Sequence, residues 1–123
     1  MIIDHIRNIE EFRKLFLERP MNDGLYSFEF IINNPHLYCF YGEQDDKLKG
    51  FIFITQDAEG KLYLSGASVP KNMTDNIDAI IKICDSYNHD MYSETEFKPA
   101  ELVLRKAGFV KLKTNLYVRR KYG

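Results

Sequence analysis

The chain has 123 residues, of which 45% are hydrophobic, 28% charged and 14% aromatic, and its formal net charge is −1. This composition excludes an intrinsically disordered segment or a low-complexity fibre and suits one domain spanning residues 1–123. No run reaches the ~20 apolar residues of a membrane span. The two cysteines imply no disulfide framework, and no CxxC or His/Cys cluster suggests zinc.

From the N-terminus, Met1 to Arg7 alternates loosely and is predicted as a short strand. Asn8 with Glu11 three residues on forms a capping-box pattern. Ile9, Phe12, Leu15 and Phe16 then share a helical face, which Pro20 ends. Asn22-Asp23-Gly24 is a turn, and Leu25, Phe28 and Ile32 mark a second short helix that stops before Asn33-Asn34-Pro35. The period then changes. Leu37 to Tyr41, Leu48 to Thr55 and Lys61 to Val69 are predicted strands joined by polar turns, hence an antiparallel meander. The second of these is apolar on both faces, as a covered central strand is.

Pro70-Lys71-Asn72 breaks the meander, and Asn72 or Thr74 is positioned to cap the next helix, Thr74 to Tyr87. Ile77, Ile80, Ile81 and Cys84 fall on one face of it. Met91 to Phe97 is a fifth strand, which the crossover helix makes parallel to its predecessor. Pro99 opens a last helix with the stripe Ala100, Val103, Leu104 and Ala107, and Gly108 is its C-cap. Phe109 to Lys113 and Leu116 to Lys121 form a closing hairpin around Thr114-Asn115. The predicted core is Phe12, Phe28, Phe51, Phe53, Ile77, Ile81, Val103, Leu104 and Phe109. Cys39 and Cys84, in apolar runs, read as buried, inert thiols.

Charge is unevenly spread. From Lys98 onward there are eight Lys/Arg and one acid, a net +7 against −8 for the rest. The basic hairpin therefore suits a protein partner, or the acidic part of its own chain. Lys111, Lys113, Arg119, Arg120 and Lys121 with Tyr117 and Tyr122 between them could also hold a nucleic acid, but a net charge of −1 disfavours a dedicated binder.

The order β-α-α-β-β-β-α-β-α-β-β resembles the mixed α/β sheet, splayed at its centre, of the GNAT-type acetyltransferases. Ala100 to Phe109 (AELVLRKAGF) is similar to that family's last helix and its Gly-Phe ending, and Leu62 to Val69 to the strand that holds the pantetheine arm of coenzyme A. The resemblance implies acetyl-CoA as cofactor if the chain is active, with contacts at Ala67, Val69, Lys71, Asn72 and Thr74.

The chain departs from the family at two points. The glycine-rich loop that cradles the diphosphate is here Val69 to Asn76, with no glycine, a proline at Pro70 and an acid at Asp75. The tyrosine expected four residues after the helix alanine is Leu104, which has no proton to give, and the asparagine three residues before it is Phe97. Glu94 and Glu96 are the remaining carboxylates for proton transfer, with Tyr92, Ser65 and Ser68 as further donors. His5, His36 and His89 have no ligand spacing, so no metal is expected. The combined expectation is a cytoplasmic or virion-associated GNAT-fold protein, non-catalytic and used for structure or interaction. It looks somewhat like the short, loop-degraded GNAT-like virion and accessory proteins of bacteriophages. The alternative is an atypical acetyl-CoA-dependent N-acetyltransferase.

Overall fold

The computed structural model describes residues 1–18 and 26–121. In chain order it has β1 (Ile2–Asp4), α1 (Ile9–Glu18), α2 (Phe28–Ile32), β2 (Leu37–Tyr41), β3 (Leu48–Gln56), β4 (Leu62–Ser68), α3 (Ile77–Tyr87), β5 (Met91–Glu94), α4 (Lys98–Lys106), β6 (Val110–Lys113) and β7 (Leu116–Arg119). The predicted order holds. The expectations at Pro20, at Asn22 to Gly24 and at Leu25 lie outside the described residues.

The strands form a seven-stranded sheet in the order β1-β2-β3-β4-β5-β7-β6. Every neighbouring pair is antiparallel except β4–β5, where α3 forces the parallel return. Helices cover both faces. Phe12 and Leu15 of α1 and Ile31 of α2 pack on Leu37, Cys39, Tyr41, Phe51 and Phe53. On the other face α3 and α4 bury Ile80, Ile83, Val103 and Leu104 against Phe40, Ile52, Ile54, Leu64, Met91 and Tyr117. The central strand β3 thus sends Phe51 and Phe53 into one core and Ile52 and Ile54 into the other, which accounts for its unbroken apolar run.

Local chemistry sets the helix ends. Asn8 Oδ1 accepts from the Glu10 and Glu11 amides, as the capping pattern requires. Glu11 does not close the box; its Oε2 accepts from the Leu48 amide instead and ties α1 to β3. Gly108, at φ +99°, ends α4 while the Phe109 amide reaches back to the Leu104 carbonyl. Asn88 (φ 52°) ends α3 in the same left-handed region.

Three expectations change. Phe28, Ile77 and Ile81 are half-buried, and the inner face of α3 is Ala79, Ile80, Ile83 and Cys84. The two stripes share Ile80 and Cys84, so spacing alone could not fix the helix's rotation. The fifth strand ends at Glu94, short of Phe97, where its pairing with β7 ends at Leu116. Neither Asn72 nor Thr74 caps α3; Asn76 holds the cap position without a side-chain cap bond. Both cysteines are buried, and burial pushes the Cys39 thiol up to about 12 and the Cys84 thiol to about 11, which keeps them protonated and inert.

Candidate functional site

The sheet opens at its centre. β3 and β4 are in register from Gln56↔Leu62 to Gly50↔Ser68, whereas β4 and β5 pair only at Leu62↔Met91 and Tyr63↔Tyr92. At the first unpaired step, the buried Ser93 hydroxyl donates to the Leu64 carbonyl at 2.8 Å. A side chain thus satisfies an acceptor that a longer β5 would have met with main chain. Beyond that bond lies a cleft of about 170 Å³.

Strand alternation decides which main-chain groups face it. The Val69 amide donates to the Lys49 carbonyl, so Val69, Ala67 and Ser65 direct their N–H and C=O groups at β3. Gly66 and Ser68 consequently turn theirs toward the opening. On the far wall the Thr95 amide donates to the Asn115 carbonyl, which aims Thr95 and Ser93 at β7 and Glu94 at the cleft. Apolar side chains close the cleft above and below: Tyr26, Phe51 and Phe53 on the α1–α2 face, and Met73, Ile80 and Leu104 on the other.

The proposed site residues separate on this frame. Ala67 lines the cleft with its methyl group, whereas Val69 does not line it. Glu94, an exposed residue with no ion-pair partner among the described residues, is part of the lining, while Glu96 is not and accepts from Asn115 Nδ2 at 3.3 Å. Ser65 and Ser68 line the cleft. Tyr92 lies under the Lys61 ammonium, 5.5 Å from its ring centroid, away from the opening. Leu104 is a buried wall residue. Ser93, which fixes the opening, escaped sequence reasoning; its alternation with Glu94 was the available signal, but its partner is 29 residues away.

The segment between β4 and α3 folds into two successive 3₁₀ turns, Pro70–Asn72 and Thr74–Asn76. They consume amide donors within the chain. Asn72 N donates to the Val69 carbonyl, Asn76 N to that of Met73 and Ile77 N to that of Thr74. Asn76, fully buried, donates through Nδ2 to the Lys49 carbonyl and the Ser68 hydroxyl. Gly50 makes room for it, since a Cβ there would lie 2.6 Å from that Nδ2. Asn72 Nδ2 donates to Asp75. The Oδ1 atoms of Asn72 and Asn76 are buried without a hydrogen-bond partner among the described residues.

A diphosphate needs converging donors at a helix N-terminus. This segment engages the amides of Asn72, Asn76 and Ile77 internally, lacks one at Pro70, and presents unpaired acceptor oxygens, the Asp75 carboxylate and two exposed side chains, Lys71 and Thr74. These residues do not fit the diphosphate end of coenzyme A.

The basic C-terminal end is largely engaged within the chain. Arg119 donates from Nε to the Ala107 carbonyl and pairs with Asp85 at 2.8 Å, and Arg120 pairs with Asp90 at 2.9 Å. Lys111 and Lys113, on the exposed edge strand β6, have no ion pair among the described residues. No group of three or more His, Cys, Asp and Glu able to hold a metal occurs among those residues, and no helix there is long and apolar enough to cross a membrane.

No protein-family model matches the sequence, and neither does any curated protein. Solved structures do. A probable acetyltransferase from Staphylococcus epidermidis superposes with a TM-score of 0.64 at 13% identity, over 97% of this chain and 98% of that one. A GNAT-family acetyltransferase from Bacillus anthracis gives 0.60 at 13% identity, over 77% and 71%. A protein of Thermus thermophilus gives 0.58 at 16% identity, over 92% of each chain. Together with the strand order, the single parallel step and the central opening, these likenesses establish that the chain has the fold of the GNAT acetyltransferases.

Proposed function

We propose that this chain is a GNAT-fold binding component that uses the β4–β5 cleft without transferring acetyl groups from coenzyme A. The observation that carries the reading is the pair of 3₁₀ turns ahead of α3, which engage the amides of Asn72, Asn76 and Ile77 internally. Leu104 points the same way, because an aliphatic side chain at that wall position can protonate no leaving thiolate. A structural or accessory role of the bacteriophage type rests on the sequence resemblance alone.

Calorimetric titration with acetyl-CoA tests the reading. The expected dissociation constant is millimolar or weaker, about −4 kcal/mol at most. A micromolar constant overturns it.

The open cleft with Glu94 on its wall favours one second reading, an atypical N-acetyltransferase in which that carboxylate takes the proton of an acceptor amine. Turnover of acetyl-CoA with a panel of amines, abolished by Glu94→Gln and retained in Glu96→Gln, would select this reading over the first.

A further inference from the structure

We propose that a second site, a groove between α2 and the end of β3, takes a neutral saccharide with one pyranose ring stacked on Phe30. Ser27, Phe30 and Asn33 line it from the helix side and Thr55 and Gln56 from the strand side, and it shares no lining residue with the central cleft. The spacing of three places Ser27, Phe30 and Asn33 on one side of the helix. Asn34 ties the two walls together: its Nδ2 donates to the Ile54 carbonyl at 3.1 Å, while its Oδ1 accepts from the His36 amide at 2.7 Å.

Three observations carry the proposal. Phe30 is 49% exposed, yet its ring is held in place. It stacks on Tyr26 at 5.4 Å and 22°, and Tyr26 in turn meets the buried Phe53 edge-on at 5.1 Å. This chain of rings presents a fixed aromatic face, whose negative potential attracts the polarised C–H groups on the apolar side of a pyranose. Beside the ring, the side chains of Glu29, Asn33 and Thr55 make no hydrogen bond or ion pair among the described residues, and Gln56 makes only a long one to the Gly60 carbonyl, at 3.5 Å. Amides and a carboxylate can each bond two neighbouring hydroxyls, and the threonine hydroxyl both donates and accepts. Finally, no lysine, arginine or histidine lines the groove, and Glu29 repels anions, so phosphates and nucleotides are disfavoured. A cationic ligand would engage Glu29 and leave the amides idle. The groove's volume of about 590 Å³ lies within the ~300–1,000 Å³ of small-ligand sites.

The test uses the full chain and follows the amide resonances of Ser27, Asn33 and Thr55. Methyl glycosides of glucose, mannose, galactose and N-acetylglucosamine are each added to tens of millimolar. At least one should bind with a millimolar dissociation constant. Phe30→Ala should weaken that binding about tenfold, whereas Phe30→Tyr, which keeps an aromatic face, should retain it. Asn33→Ala and Gln56→Ala should each weaken it about fivefold. These two variants and Phe30→Tyr leave the proposal open to refutation even if Phe30→Ala disturbs α2. Four results would overturn it: no shift with any glycoside, shifts confined to Gly66 and Ser68 at the central cleft, unchanged binding in both amide variants, or tighter binding of adenosine, run as an aromatic probe that stacks equally well. Because the groove and the cleft share no residue, acetyl-CoA binding at the cleft would overturn the non-catalytic reading without deciding this result.

Discussion

The two halves of the sheet are held together by different means. From β1 to β4 the strands pair along most of their length, with seven register pairs between β3 and β4, and each face of β3 is buried under a helix layer. The block β5-β7-β6 joins that half through two register pairs and the Ser93 hydroxyl. What unites the halves is the layer of α3 and α4, whose core reaches from Phe40 on β2 to Tyr117 on β7. The first half is a ladder; the second is docked by side chains. A break in pairing costs little where a common helix layer spans it, and it leaves strand edges turned inward where a ligand can use them.

Substitutions should rank accordingly. The largest loss is expected in the ladder half, where Phe51→Ala removes a fully buried ring 4.7 Å from that of Phe12 and should cost about 3–5 kcal/mol in urea unfolding. In the bridging layer, Ile80→Ala or Ile83→Ala should cost about 2–5 kcal/mol, whereas the half-buried Ile81→Ala should cost about 1 kcal/mol. Equal losses at Ile80 and Ile81 would show that α3 is rotated from the position described.

At the junction, Ser93→Ala orphans the Leu64 carbonyl and should cost about 1–3 kcal/mol. If the loss is negligible, the opening is not fixed by that hydroxyl. Within the docked block, replacing Arg119, Arg120 and Lys121 with Ser removes the Arg119 bonds to Ala107 and Asp85 and should lower stability by about 1–2 kcal/mol. Such a variant therefore cannot serve as a clean probe of a partner. Lys111→Ser with Lys113→Ser leaves those bonds intact and is the pair to use; partner binding that survives it at low salt would remove the basic hairpin as a contact surface.

The smallest effect is a pH dependence at the end of the docked block. The Lys121 amide, and then the Arg120 guanidinium, hold the Asp90 carboxyl below its ordinary 3.8. A depressed carboxylate pKa contributes stability that is fully present above the unfolded value and is lost as pH falls through the lower folded one. Wild-type and Asp90→Asn proteins should thus differ slightly at neutral pH and converge below pH 3.8. A difference that persists through that range would assign Asp90 no linked role.

Much of the fold was legible in the sequence because its signals are local. Asn8, Gly108 and the apolar stripes declare helices within one turn, and the polar turns between the predicted strands declare the antiparallel meander. The site was legible only in outline. That β4 and β5 part after two residues depends on register, which no window of sequence encodes, and Ser93 matters through a carbonyl on another strand. The loss of glycine between Val69 and Asn76 was visible. Its consequence, two 3₁₀ turns anchored by Asn76 against Gly50, needed the packing of β3 to be known.

The Ser93 to Leu64 bond also bears on how fast and how tightly the cleft can be filled. With that carbonyl satisfied across the gap, the strands have little to gain by zipping further, so the opening is a ground-state feature and no closed sheet must be prised apart before a ligand enters. A preorganised slot of this kind spares a ligand the cost of opening it, at the expense of selectivity by conformational change. Its occupants should associate in a single step whose rate rises in proportion to their concentration, with no slow phase that saturates.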